Sequence, residues 1–128
     1  MSNTEKITIN INVVDLGKID LLVENGFYSN RTDFIKTSIR NKLDTENYII
    51  KDAITKNNFG IGVFIYGKDY LEKKVSANEK INLKIIGMLI LKDDITPELA
   101  LRAINSIEVK GILKADSKLK TELSQIIK

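Results

Sequence analysis

The sequence predicts an α/β chain, α+β overall, in which a short strand-helix-helix segment is followed by a small βαβαβα domain. Three observations carry that reading. Residues 7–12 alternate apolar and polar side chains, the period of a strand with one buried face. Two amphipathic helical patterns follow before residue 45. Beyond residue 58, runs rich in β-branched residues alternate with helical patterns, which argues for a mainly parallel sheet.

The N-terminal segment comes first. Ile7-Thr8-Ile9-Asn10-Ile11-Asn12 turns Ile7, Ile9 and Ile11 to one face, and β-branched side chains favour extended backbone. Lys6, Thr8 and Asn10 share the other face and present an ammonium, a hydroxyl and a carboxamide, groups that bond base edges in a major groove. Asp15 is the expected N-cap of a helix over 16–25, with Leu16, Ile19, Leu22 and Val23 on its apolar stripe and Asn25-Gly26 as its stop. A second helix should begin at Ser29 or Asn30. Asn30-Arg31-Thr32-Asp33 has the form of a capping box with Asp in place of Glu or Gln, and Phe34, Ile35, Ile39 and Leu43 form its buried stripe.

One strand and two helices in so few residues bury too little apolar surface to stand alone, and a lone strand leaves its backbone donors and acceptors unpaired. A second copy of the chain is the economical solution. Two strands then form an antiparallel ribbon across a two-fold axis, with four helices beneath it. The expected dimer core is Ile7, Ile9, Ile11, Ile35 and Ile39.

At this point the chain resembles the Arc/CopG-type ribbon-helix-helix repressors, and most closely the nickel-responsive regulators among them. The resemblance covers residues 5–43. It rests on Lys6-Ile7-Thr8-Ile9-Asn10-Ile11, Ile19-Asp20, Tyr28, Asn30-Arg31-Thr32-Asp33, Ile35-Lys36, Ile39-Arg40 and Leu43. It implies an intertwined homodimer, or a dimer of dimers, on a palindromic site in double-stranded DNA. The outward ribbon residues Lys6, Thr8 and Asn10 would read bases, and Ser29, Asn30, Arg31 and Thr32 at the start of the second helix would hold a backbone phosphate. The second assignment agrees with the chemistry of helix starts, whose first amides lack internal partners and sit at the positive end of the dipole.

Composition narrows the function further. The 128 residues hold no cysteine and no histidine, which removes disulfides, thiolate nucleophiles, zinc-type metal centres and histidine bases together. No enzyme, metal or cofactor is expected. The resemblance implies the same departure, because the nickel-responsive regulators bind metal through histidine and cysteine. Residues 1–12 contain no signal-peptide core, and the longest apolar run, Ile81 to Leu91, is interrupted by Asn82 and Lys84; the expected location is the cytoplasm, with no membrane partner. Net charge is only +3, and residues 1–45 carry six basic and six acidic side chains. Affinity for DNA must therefore come from which face the cations occupy.

Residues 46–58 read as a helical connector ending at Asn57-Asn58 and Gly60, so the expected boundaries are 1–45, 46–58 and 59–128. Strands are expected at 59–66, 81–91 and 106–115, and helices at 68–77, 96–104 and 116–127. Gly62-Val63-Phe64, Gly87-Met88-Leu89 and Gly111-Ile112-Leu113 are weakly similar, with glycines 25 and 24 residues apart. That spacing suits solenoid-like strand-plus-helix repeats. The competing layout is an ACT-like or ferredoxin-like effector domain, which needs a fourth strand. Asp93-Asp94 reads as a turn ahead of the Thr96-Pro97-Glu98 helix start, Gly60-Ile61-Gly62 as strand or bulge glycine, and Lys73-Lys74 as a solvated helix face.

Function follows as a sequence-specific repressor whose 59–128 domain oligomerises or senses an unknown effector. Two readings compete with it. One is the antitoxin of a toxin-antitoxin pair, which would usually carry a disordered tail where residues 59–128 look globular. The other is an assembly module whose ribbon only dimerises the chain.

Overall fold

The structure is a computed structural model, and it describes residues 3–128. Helix and strand are both present, and the chain divides into two compact units, Met1–Asp52 and Ala53–Lys128.

In the first unit, residues 4–12 lie outside any helix or strand. The strand expected from their alternation does not form within one chain; a strand needs a neighbouring strand to complete its ladder, and among the described residues the sheet consists of strands of the second unit alone. Helix α1 (Val13–Glu24) begins three residues before the expected start. Asn12, and not Asp15, is its N-cap: the Asn12 side chain accepts a hydrogen bond from the Val14 amide at 2.8 Å. The expected stop at Asn25-Gly26 is present. Gly26 takes φ 81°, and the amides of Gly26 and Phe27 donate to Val23 and Leu22, which satisfies two orphan carbonyls at the helix end.

Helix α2 (Arg31–Thr45) is capped by Asn30, and α3 (Asn47–Asn57) follows it. The helical spacing that runs from Leu43 through Tyr48 is not one helix, because Glu46 interrupts it as the C-cap of α2. Asn58, at φ 58°, then turns the chain out of α3, as an Asn is able to do at little steric cost.

The second unit is a three-stranded parallel sheet in the order β1 (Gly60–Tyr66), β2 (Ile81–Leu91), β3 (Ile104–Lys114). Helices α4 (Lys68–Ser76), α5 (Pro97–Ala103) and α6 (Ser117–Glu122) follow the three strands in turn. Leu71 from α4, Ala100 and Ala103 from α5 and Leu119 from α6 pack with Leu83, Ile85, Leu89, Leu91 and Ile107 of the sheet. All three helices thus cover one face. The stacked strand-plus-helix layout is the one that forms; among the described residues the sheet has three strands, without the fourth that the ACT-like alternative needs.

The repeated glycines explain the stacking. Gly62 pairs with Gly87 and Gly87 with Gly111 across the ladder, at φ 140°, 134° and 124°. A Cβ on Gly87 would fall on the Gly62 carbonyl oxygen, and one on Gly111 on the Gly87 oxygen. At Gly62 the nearest obstacle is the Phe64 ring, 3.8 Å away. Other ties fix the helix starts and the C-terminus. Gly67 offers no side-chain cap to α4, so Asp94 supplies one, its Oδ1 accepting from the Lys68 amide at 3.1 Å. Thr96 caps α5 through the Leu99 amide. At the C-terminus, the Ile107 amide donates to Ile126 and the Lys128 amide to Ile107, each at 2.8 Å.

These contacts separate two glycines of similar conformation. Gly87→Ala should destabilise the protein by roughly 3 kcal/mol or more, since strain and steric overlap add. Gly62→Ala should cost only roughly 1–2 kcal/mol of backbone strain. Urea unfolding followed by circular dichroism measures both, and equal losses at the two positions would refute the account of the column.

Candidate nucleic-acid interface

The first unit leaves most of its apolar side chains open. Ile19 is the one buried hydrophobic residue among its described residues. Ile7 and Ile9 are 75% and 62% exposed, and Ile11 is half-buried. On α2, Ile35 is half-buried, whereas Ile39 and Leu43 are about half exposed at 48% and 53%. Lys6, Thr8 and Asn10 are all exposed. An apolar set and a polar set therefore share the 6–11 segment, and both are accessible.

The start of α2 is closely tied. The Asn30 side chain accepts from the Asp33 amide at 2.8 Å, and Asp33 Oδ2 accepts from the Ser29 amide at 2.9 Å. This is a capping box in which the shorter Asp reaches one residue further back than the Glu of the usual form. Tyr28 meets Phe34 edge-on, with ring centroids 4.9 Å apart, and so anchors the loop before the cap. Of the four residues expected to meet phosphate, Ser29 already spends its amide on Asp33. The amides of Arg31 and Thr32 occupy the first turn of α2, where no preceding carbonyl can accept from them.

Arg31 has a partner that sequence reasoning missed. Its Nε donates to Asp20 Oδ1 at 2.8 Å and its Nη2 to Asp20 Oδ2 at 2.9 Å, a two-pronged pair joining α1 to α2. Both side chains remain exposed, 56% and 42%. The hydrogen bond from Arg31 holds the Asp20 carboxyl below the ordinary carboxylate value, and Asp20 holds Arg31 more firmly protonated. The pairing spans eleven positions, so no local pattern announces it.

Nothing comparable gathers around a metal: among the described residues no group of three or more acidic side chains is placed to hold one. The second unit has a cleft of about 610 Å³ at the carboxyl ends of β2 and β3, lined by Lys92, Asp93, Glu98, Asp116, Lys118 and Glu122 among others. Its cations and anions are mixed. Among the described residues no helix is long and apolar enough to cross a membrane.

A short exposed segment with segregated faces, a capped helix pair behind it and an under-filled core define the strand-helix-helix class of regulators. The model of the ribbon-helix-helix transcriptional regulator family matches residues 2–120, and the chain belongs to that family. No curated protein and no solved structure matches it.

The Asp20–Arg31 pair carries a pH signature. A carboxyl whose native value is lowered stabilises the fold fully above its ordinary value of 3.8, and that contribution fades as pH falls through the lowered native value. Asp20→Asn should therefore reduce stability at neutral pH, with the difference from wild type vanishing in strong acid. Carboxyl NMR titration checks the cause, since Arg31→Ala should return Asp20 to the ordinary value; an unmoved titration would contradict the pairing.

Proposed function

We propose that the protein is a sequence-specific DNA-binding repressor that acts on a palindromic operator as a homodimer or a dimer of dimers. In this reading residues 1–45 bind DNA and dimerise, 46–58 connect, and 59–128 oligomerise or sense an effector. One observation carries the proposal: in a chain of this family, Ile7 and Ile9 lie open beside an exposed polar row of Lys6, Thr8 and Asn10.

Extended backbone places Thr8 and Asn10 roughly 7 Å apart on one face, a spacing that lets successive side chains address neighbouring base pairs. Pairing of two such segments buries Ile7, Ile9 and Ile11 on Ile35 and Ile39, and turns both polar rows to the same side. The ribbon then enters the major groove, where donor and acceptor patterns distinguish the base pairs. Ser29, Asn30, Arg31 and Thr32 flank it as the phosphate contact. Arg31 keeps unused N–H groups on its fork while bound to Asp20, so it contributes to the phosphate contact with its position already set by α1. The compact sheet of residues 60–128 supports a repressor over an antitoxin with an extended tail.

Reading and positioning are separable. Thr8→Ala or Asn10→Ala should relax base preference at particular operator positions, costing roughly 1–3 kcal/mol each. Arg31→Ala should weaken operator and random duplex by similar factors and lower the salt slope by about two per dimer. Titration of these variants against both duplexes at several salt concentrations provides the test. Loss of base preference in the Arg31 variant with an unchanged slope would overturn the assignment.

A further inference from the structure

The two edges of the sheet are unlike. β3 carries Glu108, Lys110 and Lys114, and Ile127 forms a bridge to it at Ile107. Charge and a covering segment are the usual means by which an edge strand is kept from pairing with another chain. β1 lacks the charge. Its sequence Gly-Ile-Gly-Val-Phe-Ile-Tyr holds no charged residue and no proline, no strand among the described residues lies beyond it, and Ile61, Val63 and Ile65 are 61%, 44% and 55% exposed on the face away from α4, α5 and α6.

We propose that β1 is an interface strand, pairing antiparallel with β1 of a second copy of this chain across a two-fold axis and joining two three-stranded sheets into one. A strand without charge is self-complementary, because no like charges meet when it faces itself. Centred on Val63, the pair sets each Ile61 beside the partner's Ile65. The apolar stripe on the open face then runs unbroken across the junction, and the unpaired backbone groups of the edge find partners. Addition of β1 to β3 of another copy is disfavoured by the bridge at Ile107 and by the lysines of β3, and such a head-to-tail contact would not close. The proposal rests on the reading that residues 59–128 oligomerise, and because its residues are separate from the DNA-binding segment its failure would leave the DNA-binding assignment untouched.

The chain contains no cysteine, so one introduced thiol reports only on itself. Ile112 shares a row with Val63 through Met88 but lies on the β3 edge. Under mild oxidation at low protein concentration, full-length Val63→Cys should form a disulfide-linked dimer at least about tenfold faster than Ile112→Cys, since only the first brings the two thiols within bonding reach. Ile61→Cys and Ile65→Cys cover registers displaced to either side. Circular dichroism of each reduced variant verifies that it keeps the wild-type fold. If none of the three β1 variants exceeds Ile112→Cys, β1 is not an interface between copies.

Discussion

The exposure of Ile7 and Ile9 is the constraint from which our account of the first unit starts. They belong to the regular apolar-polar alternation of that unit and remain 75% and 62% exposed, while among its described residues Ile19 is the one buried hydrophobic side chain. A helix pair with so little interior gains too little from the hydrophobic effect to offset the conformational entropy of ordering it. The hydrogen bonds at the helix ends, from Asn12, Asn30 and Asp33, and the Asp20–Arg31 pair set the geometry of α1 and α2. They do not supply the missing core. In our account a second copy of the chain does, and the same association gives the polar row its two-fold form.

The second unit is organised on a different principle. Its core is filled within one chain, from Leu71 to Leu123, and its strands approach closely because glycines occupy the points where a Cβ would meet a carbonyl oxygen. Helices α4, α5 and α6 pack on one face of the sheet. Parallel sheets are ordinarily covered on both faces; on the face away from these helices Met88 and Ile90 of β2 are buried while Ile61, Val63 and Ile65 of β1 are exposed, so the open apolar surface lies at β1, beside the uncharged edge. The two units thus present different kinds of open apolar surface, one on an unpaired N-terminal segment and one at a sheet edge.

Much of this was legible in the sequence, for local reasons. The three strands lie within two residues of the expected bounds because β-branched runs and turn residues delimit them, and the glycine spacing marked three segments that prove to lie in register. Thr96-Pro97-Glu98 is a local start signal and Asn25-Gly26 a local stop signal, and both are readable as such. Where local signals conflicted, the reading slipped: Val13 and Val14 prolong a strand-like pattern, which hid the cap at Asn12. At Glu46 no glycine or proline marks the break between α2 and α3. Contacts between distant positions left no trace at all, and these include Arg31 with Asp20 and Asp94 with the start of α4.

The central claim is that the first unit is completed by a second copy through the ribbon. Amide hydrogen exchange of α1 and α2, followed as protein concentration is raised, tests it directly. Exchange protection there should grow with concentration in the wild type. In Ile9→Asp, which would place a charge in the ribbon interface, that protection should collapse while β2 and β3 stay protected. Protection of α1 and α2 that is independent of concentration and unaffected by Ile9→Asp would contradict the account.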